Sequence, residues 1–382
     1  GGPTRTTDPT DHVVESTRSP GGAVSTTVGD STAVVRTDTL GRIVSVQAPD
    51  GGSRLTRHDR CGRPVEYVDA LGHVTSLERD IAGRLVGLRR PDGSTTRYAW
   101  NRCGRLQSVT DPLGATTTFT YTADGHLATE TDATGAVTRY DYDALGRTVA
   151  RTAPGLGRST WTFDLAGRVV GLRDRMWGAR TFRYDAAGQL VEAVNAFGGV
   201  TRYRYDDLGR AIEVQDPMGG TVRRSWMPLG QIASETDPLG RTTRAGYDAA
   251  GRQVWQEQPD GQRLTWAYDA TGAMTDLAVD GETVTRFTRA ADGRRLTAAT
   301  ADGEVSLVWD AAGRLVERAR DGRSLRWSWD DNGRCVGVTT PAGTSTRYER
   351  DAAGRVTAID ADGIGRVEFV HDAAGRLVRA SS

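Results

Sequence analysis

The stretch Tyr-Asp-Ala-Leu-Gly-Arg at residues 142–147 decides the fold, because the same frame returns at a fixed interval along the chain. It reads YDAAGR at 247–252, WDAAGR at 309–314 and HDAAGR at 371–376. Of the 16 intervals between successive frame glycines, 14 are 21 residues long and two are 20. The frame glycines are Gly41, Gly62, Gly83, Gly104, Gly125, Gly146, Gly167, Gly188, Gly209, Gly230, Gly251, Gly272, Gly293, Gly313, Gly333, Gly354 and Gly375. This period indicates a repeat protein.

Each frame predicts a tight turn, which we call the main turn. Its aspartate accepts a local backbone N–H, and its glycine adopts the positive φ that leads into a hairpin with a bulge. A second glycine follows nine to eleven residues later, as in Asp111-Pro112-Leu113-Gly114. Asp, Pro and Gly at these places are typical of a type I turn. We call this the second turn.

Two turns in 21 residues leave two segments of six or seven residues, a common strand length and too short for most helices. The segments also alternate, since Thr138, Tyr140 and Tyr142 fall on one face and Arg139 and Asp141 on the other. We therefore predict an all-β fold. It is a long antiparallel meander of about 34 strands, with one β-hairpin per 21-residue repeat.

The turn type also predicts the strand register. The aromatic residue four before each frame glycine should lie opposite the residue two after it, and such pairs stabilise a sheet by about 0.2–1 kcal/mol. On the opposite face, the frame aspartate should lie beside the arginine after the glycine, as an exposed pair worth about 0–1 kcal/mol. The residues predicted to build the repeats are Gly83, Gly104, Tyr142, Asp143, Gly146, Arg147, Tyr205, Asp206, Gly209, Arg210, Tyr247, Asp248, Gly251, Arg252, Trp309, Asp310, Gly313 and Arg314.

The repeat frame sets the domain prediction. Residues 1–33 do not fit it and are rich in Thr, Ser, Pro and Gly, so we expect an irregular lead segment or a degenerate repeat. No change of composition interrupts residues 34–382, which we expect to form one repeat domain of about 17 repeats. The chain opens GGPTRTTDPT without an initiator Met. We expect a fragment or processed piece that does not contain the export signal.

Composition excludes two classes of protein. Every one of the 49 basic residues is arginine, and 49 acidic residues balance them to a formal net charge of zero. A neutral chain lacks the basic footprint of a nucleic-acid-binding protein. No apolar run approaches the roughly 18 residues of a membrane span.

Residues with reactive side chains do not form a catalytic pattern. The three cysteines and four of the five histidines occupy repeat positions, and His12 lies in the lead segment. None of them has the spacing of a metal site, and the nearby pair His58 and Cys61 lacks an orienting third group and an oxyanion hole. We predict no catalytic residue, no metal ligand and no cofactor. Trp177, Phe197 and Trp255 are read as exposed aromatics that could contact a ligand such as a sugar.

The repeated YDxxGR frame resembles the YD-repeat, or Rhs-repeat, proteins. They include bacterial Rhs and related polymorphic toxins, the C components of insecticidal toxin complexes and animal teneurins. The resemblance covers about residues 34–382. It implies a β-ribbon that curls into a spiral or open shell, which encloses a toxic C-terminal polypeptide in bacterial members and serves adhesion in teneurins. The self-cleaving core of the toxins has no match here, so no cleavage residues are carried over.

Two functions follow from this resemblance. The first is a non-enzymatic shell segment, secreted or delivered to a cell surface, whose partners are a toxin cargo polypeptide or further repeats of the parent chain. Its sheet edges would favour self-association. The second is an extracellular module that binds carbohydrate or a cell-surface partner. A hydrolase has no supporting constellation.

Overall fold

The computed structural model describes residues 4–7, 13–18, 24–28, 31–48, 51–290 and 292–382. In this part of the chain all regular structure is β-strand. The first 19 strands are β1 (Thr4–Thr7), β2 (Val13–Arg18), β3 (Val24–Val28), β4 (Ser31–Thr37), β5 (Ile43–Gln47), β6 (Ser53–His58), β7 (Pro64–Val68), β8 (Val74–Arg79), β9 (Leu85–Arg89), β10 (Thr95–Trp100), β11 (Leu106–Thr110), β12 (Thr116–Tyr121), β13 (Leu127–Thr131), β14 (Val137–Tyr142), β15 (Thr148–Ala153), β16 (Gly157–Phe163), β17 (Val169–Asp174), β18 (Gly178–Tyr184) and β19 (Leu190–Val194).

The remaining strands continue the same series to the end of the chain. They are β20 (Val200–Tyr205), β21 (Ala211–Gln215), β22 (Thr221–Trp226), β23 (Ile232–Thr236), β24 (Thr242–Tyr247), β25 (Gln253–Glu257), β26 (Arg263–Tyr268), β27 (Met274–Val279), β28 (Glu282–Arg289), β29 (Arg295–Thr300), β30 (Gly303–Trp309), β31 (Leu315–Arg320), β32 (Arg323–Trp329), β33 (Cys335–Thr339), β34 (Ser345–Arg350), β35 (Val356–Ala361), β36 (Gly365–His371) and β37 (Leu377–Ser381).

The topology is the predicted antiparallel meander. In each pairing that the structure describes, a strand pairs with its neighbour in sequence, as β14 does with β15 and β15 with β16. Strands β4 to β37 account for the 34 strands expected. Strands β1 to β3 lie within residues 1–33, but much of that segment is outside the described residues, so its nature and the single-domain boundary at residue 34 stay predictions.

The predicted register is confirmed. Tyr142 lies opposite Thr148, and Tyr205 lies opposite Ala211. In each case the register shifts at a β-bulge just before the aromatic residue. The frame glycine makes this possible, since Gly146 has a φ of 77° and Gly209 a φ of 79°. Such a φ is accessible to glycine without steric cost.

Contacts divide the chain into two units. Unit 1 comprises Gly1–Thr116, Trp266–Ala278 and Glu282–Ser382, and unit 2 comprises Thr117–Thr265 and Val279–Gly281. Within unit 2, consecutive strands from β13 to β25 pair edge to edge. Unit 1 contains three ranges of the chain, two of which are separated only by residues 279–281.

Few side chains are fully buried. Ala150 and Ala358 are each 1% exposed, and among the described residues no large side chain is buried completely. Most strand residues are instead half-buried. A sheet of this kind depends on contacts between neighbouring strands and repeats more than on a central core. The residues that link the repeats therefore position the strands and turns of the sheet.

Candidate functional site

The main turn is organised by its aspartate. In the turn at residues 206–210, Oδ1 of Asp206 accepts the backbone N–H groups of Leu208 at 3.0 Å and Arg210 at 2.9 Å. Its Oδ2 accepts Nε of Arg210 at 2.7 Å. The N–H of Gly209 donates to the carbonyl of Asp206 at 2.9 Å. One carboxylate thus fixes the turn and orients the arginine.

The aspartate–arginine pair is half-buried rather than exposed. The side chains of Asp206 and Arg210 are 23% and 25% exposed. The hydrogen bond from the Arg210 side chain, followed by the one from its backbone, lowers the pKa of Asp206. The predicted pairing of Asp206 with Arg210 is confirmed, but the expectation that the pair is exposed on the face opposite the aromatics was wrong. The flat guanidinium stacks on an aromatic ring instead, which an ammonium group would do less well.

Arg210 joins its own repeat to the next one. Its guanidinium carbon lies 5.9 Å from the centre of the Trp226 ring, and its Nη1 donates to the carbonyl of Met227 at 2.9 Å. In return, Nε1 of Trp226 donates to the carbonyl of Ala211 at 3.0 Å. Each partner therefore binds the carbonyl of the residue that follows the other. We call this two-way link the clamp.

The clamp recurs at the repeat period. Arg168 lies over Tyr184 at 4.9 Å, donates to Asp185 at 3.2 Å, and the Tyr184 hydroxyl donates to Val169 at 2.8 Å. Arg314 and Trp329 form the same link in unit 1. Arg147 lies 4.7 Å from the centre of the Phe163 ring. Phe163 has no hydrogen-bond donor in its side chain, so it cannot make the second hydrogen bond of the clamp. The interaction is thus a property of the repeat.

In some repeats, arginine takes the place of the aromatic residue and makes the same hydrogen bond back to the preceding repeat. Arg79 donates to the carbonyl of Pro64 at 3.3 Å, Arg289 to Met274 at 3.0 Å and Arg350 to Cys335 at 3.1 Å. All three occupy the position four before a frame glycine. Sequence reasoning missed this equivalence, because it counted those repeats only as departures from the aromatic pattern.

The predicted repeat residues occupy these positions. Gly83, Gly104, Gly146, Gly209, Gly251 and Gly313 all have φ between 76° and 85°. The Asp–Arg pairs 143/147, 206/210, 248/252 and 310/314 have N–O distances of 2.6–2.7 Å. The hydroxyls of Tyr142, Tyr205 and Tyr247 donate to the preceding repeat at 2.7–3.0 Å, and Trp309 lies opposite Leu315. That these residues serve the protein's function stays a prediction.

Main turns and second turns line opposite edges of the ribbon, because they alternate along a meander. In unit 1 the two kinds of edge meet, although 240 residues separate Asp92 from Asn332. The Asp92 carboxylate, in a second turn, accepts Nη2 of Arg334 at 3.0 Å and the amide of Asn332. His73, in the preceding second turn, places Nε2 3.5 Å from Oδ1 of Asp331. We call this contact the seam.

The seam has an interlocking geometry. The main turn at residues 330–333 lies between two neighbouring second turns, at 69–72 and 90–93. A cavity of about 930 Å³ adjoins it and is lined by apolar residues that include Leu55, Tyr67 and Leu88, with Arg90 and Arg334 also at its wall. Sequence reasoning did not identify this contact.

The three candidate ligand-contact residues fall into two groups. Trp177 and Phe197 lie on second turns and are 65% and 97% exposed. Trp255 lies in β25 and is half-buried, with Arg263 over its ring at 4.7 Å, so its expected exposure was wrong. The structure does not bring Trp255 onto a second turn with the other two.

Cys61, Cys103 and Cys335 are free thiols. Within the described ranges, no group of three or more His, Cys, Asp or Glu side chains is placed to hold a metal ion. The same residues contain no helix of the length and apolarity that a membrane crossing requires.

Family models match two parts of the sequence. The teneurin YD-shell model matches residues 63–224, and the RHS repeat model matches 226–254, 309–344 and 329–364. None of the curated proteins matches the chain by sequence.

Solved structures share the fold. The chain is similar to the crystal structure of TcdB2-TccC3-Cdc42, with 13% identity and a TM-score of 0.70 over 98% of this chain. It is also similar to TcdB2-TccC3 without hypervariable C-terminal region, with 15% identity and a TM-score of 0.63 over 97% of this chain. The match covers 26% of each of those chains, so this chain spans about a quarter of their length.

Proposed function

Because the chain belongs to the YD-repeat, or Rhs-repeat, family, we propose that it is a structural wall segment of a shell that encloses a toxic polypeptide. The wall is built by the clamps along the ribbon and by the seam across its edges. Its role is mechanical and non-enzymatic: it separates a cargo from the surroundings until delivery. The partners are the cargo and further repeats of the parent chain.

The observation that carries this proposal is the seam. A ribbon whose opposite edges contact each other in unit 1 forms a wall taller than a single row of hairpins. The contact is specific, because a charged pair, an amide and an imidazole all join one main turn to two second turns. A binding module has no need to exclude solvent, so joining its edges would not serve its function.

The cavity beside the seam supports the cargo part of the proposal. Ile43 and Tyr67 are 51% and 45% exposed there, although both are large apolar side chains. An unfolded polypeptide exposes apolar groups that could cover them, and each buried methylene contributes about 0.8 kcal/mol. Secretion or delivery to a cell surface follows from this role and is part of the proposal.

Protection of a tethered probe tests the proposal. A flexible Gly/Ser linker and an unfolded segment with one site for a sequence-specific protease are joined after Ser382. Such a protease is needed because the arginine-rich wall would be cut by an arginine-specific one. We expect slower cleavage than in the same probe on an unrelated carrier, and faster cleavage when Asp92→Ala and Arg334→Ala open the seam. Equal rates in all three proteins would contradict the proposal.

Exposed aromatics favour a second candidate, an extracellular module for carbohydrate or a cell-surface partner. Trp177 and Phe197 project from second turns of consecutive repeats, where a sugar ring could stack on them. A glycan array on the purified chain tests this. Binding that is lost in Trp177→Ala and Phe197→Ala, but kept in the matched surface variant Leu239→Ala, would favour the module over the shell.

A further inference from the structure

An apolar strip runs along the second-turn edge of unit 2. It consists of Met176, Phe197, Met218 and Leu239, which follow one another at 21-residue intervals and are 68–97% exposed. Gly155 and Asp260, at the same position in the flanking repeats, end the strip. Successive tips are two strands apart, about 10 Å, so the strip is roughly 30 Å long. A row of large, exposed apolar side chains is a candidate interaction surface.

The main-turn edge of the same unit carries exposed leucines. Leu145, Leu165, Leu208 and Leu229 lie at the tips of main turns and are 73–108% exposed, whereas the turn at 185–188 has alanines at its tip. Leu208 and Leu229 are 21 residues apart, so these two tips have the spacing of neighbouring gaps in the strip. The charged residues nearest the tips are of opposite sign on the two edges, since Arg175 is exposed next to Met176 and Asp207 next to Leu208.

The seam provides the docking geometry. There the protein places a main turn between two second turns of its own ribbon, through Asp331 and His73 on one side and Arg334 and Asp92 on the other. The strip in unit 2 offers three gaps of that kind, between Met176 and Phe197, Phe197 and Met218, and Met218 and Leu239. Its tips are apolar where those of the seam are polar.

We propose that this strip docks the main-turn edge of a second copy of the chain. Leucine tips of the second copy enter the gaps between Met176, Phe197, Met218 and Leu239 in the interlocking arrangement of the seam. The contact is heterologous, since different surfaces of the two copies meet, and each copy keeps one free edge of each kind. Association of this kind continues beyond a dimer as concentration rises.

Sedimentation velocity on the purified chain, across a wide concentration series, tests the proposal. We expect reversible association of the wild type. Phe197→Asp with Met218→Asp should weaken it at least about tenfold, since central apolar contacts dominate interfaces. Leu208→Asp with Leu229→Asp should weaken it equally. Leu113→Asp with Thr134→Asp is the matched control, because it adds the same two charges at the same turn position outside the strip, and it should associate like the wild type.

Mixing the two double variants gives the decisive result. Each retains one intact edge, so an equimolar mixture should form a one-to-one complex and nothing larger. A wild type that stays monomeric, a strip variant that still associates alone, or a mixture that remains monomeric would overturn the proposal. Circular dichroism of each variant separates lost docking from lost folding. No cargo is present, so the outcome is independent of the shell function.

Discussion

Arg314 and Trp329 bind each other's repeats in both directions. Nη1 of Arg314 donates to the carbonyl of Asp330, next to Trp329, at 3.0 Å, and Nε1 of Trp329 donates to the carbonyl of Leu315, next to Arg314, at 2.9 Å. The guanidinium carbon lies 5.9 Å from the ring centre. One repeat is thus fixed to the next by two hydrogen bonds and a cation–π contact.

Removing this arginine should destabilise the sheet. Arg314→Ala loses the stacking, the hydrogen bond to Asp330 and the pair with Asp310, and we expect the free energy of unfolding to fall by about 1–2 kcal/mol. Urea titration measures it. Arg326→Ala is the control, since that side chain is 66% exposed and 3.5 Å from Glu317, and its loss should cost less than about 0.5 kcal/mol. Equal losses would contradict the clamp.

Arginine should substitute for an aromatic residue in a clamp. Tyr205→Phe removes the 2.7 Å hydrogen bond to Leu190 and should lower the free energy of unfolding by about 0.5–1.5 kcal/mol. Tyr205→Arg should recover part of that loss, because Arg350 makes the same bond to Cys335. Tyr203→Phe, a phenol on the same strand outside the clamp, is the control. An arginine variant no more stable than Tyr205→Phe would refute the equivalence.

Acid should weaken the main turns. The pKa is lowered for the turn aspartates Asp38, Asp59, Asp80, Asp143, Asp164, Asp206, Asp248, Asp310, Asp351 and Asp372. A lowered folded-state pKa gives stability that is complete above the unfolded value, about 3.9, and is lost as the pH falls through the folded value. We therefore expect a constant urea midpoint from neutral pH to about 5 and a steep fall below about 4.

A single variant isolates this effect. Asp206→Asn removes one of the titrating carboxylates, so the difference in stability between variant and wild type should shrink as the pH falls. Asp207→Asn, the adjacent residue, removes the same charge without the hydrogen bonds to Arg210. If the difference in stability between Asp206→Asn and the wild type were the same at neutral and acidic pH, the Asp206 carboxylate would not be what fixes the turn.

At Gly313, glycine should be required for its backbone conformation alone. A Cβ at Gly313 would meet no atom within 4 Å, but its φ is 82°. We expect Gly313→Ala to lose about 1–2 kcal/mol of stability and Gly313→Asn to lose less, because Asn tolerates this conformation better. Thermal or urea unfolding gives the ranking. If Ala and Asn were both as stable as Gly, the turn assignment would fail.

The sequence was sufficient for the local structure and not for the contacts between repeats. Gly146 and Asp143 specify the turn by themselves, and the bulge then fixes Tyr142 opposite Thr148. The clamp was missed because Arg210 reaches a ring and a carbonyl in the next repeat, a direction that strand alternation does not define. Arg350 was missed because it matches an aromatic residue in hydrogen bonding and not in residue type.

The seam is harder to predict from the sequence than the clamp. The partner of Asp92 is 240 residues away, and its identity depends on small twists and bends that add up over many strands. No local pattern at Asp92 or Asn332 marks them as a pair. The exposure of Trp255 was misjudged for a simpler reason: it lies in a strand beside Arg263, and not in a turn.

A disulfide trap across the seam tests the central claim most directly, that edges of the ribbon stack to form a wall. Cys61, Cys103 and Cys335 are first replaced by Ser, and Asp92→Cys is combined with Asn332→Cys, whose native side chains are in contact. Bonded cysteines need Cα atoms within about 7 Å, and the contact between the native side chains indicates that these two positions are close enough. We therefore predict rapid, intramolecular cross-linking in the folded monomer. The control, Leu113→Cys with Asn332→Cys, lies one repeat away and should not cross-link. Absence of the first cross-link, or equal cross-linking of the control, would contradict the stacked wall.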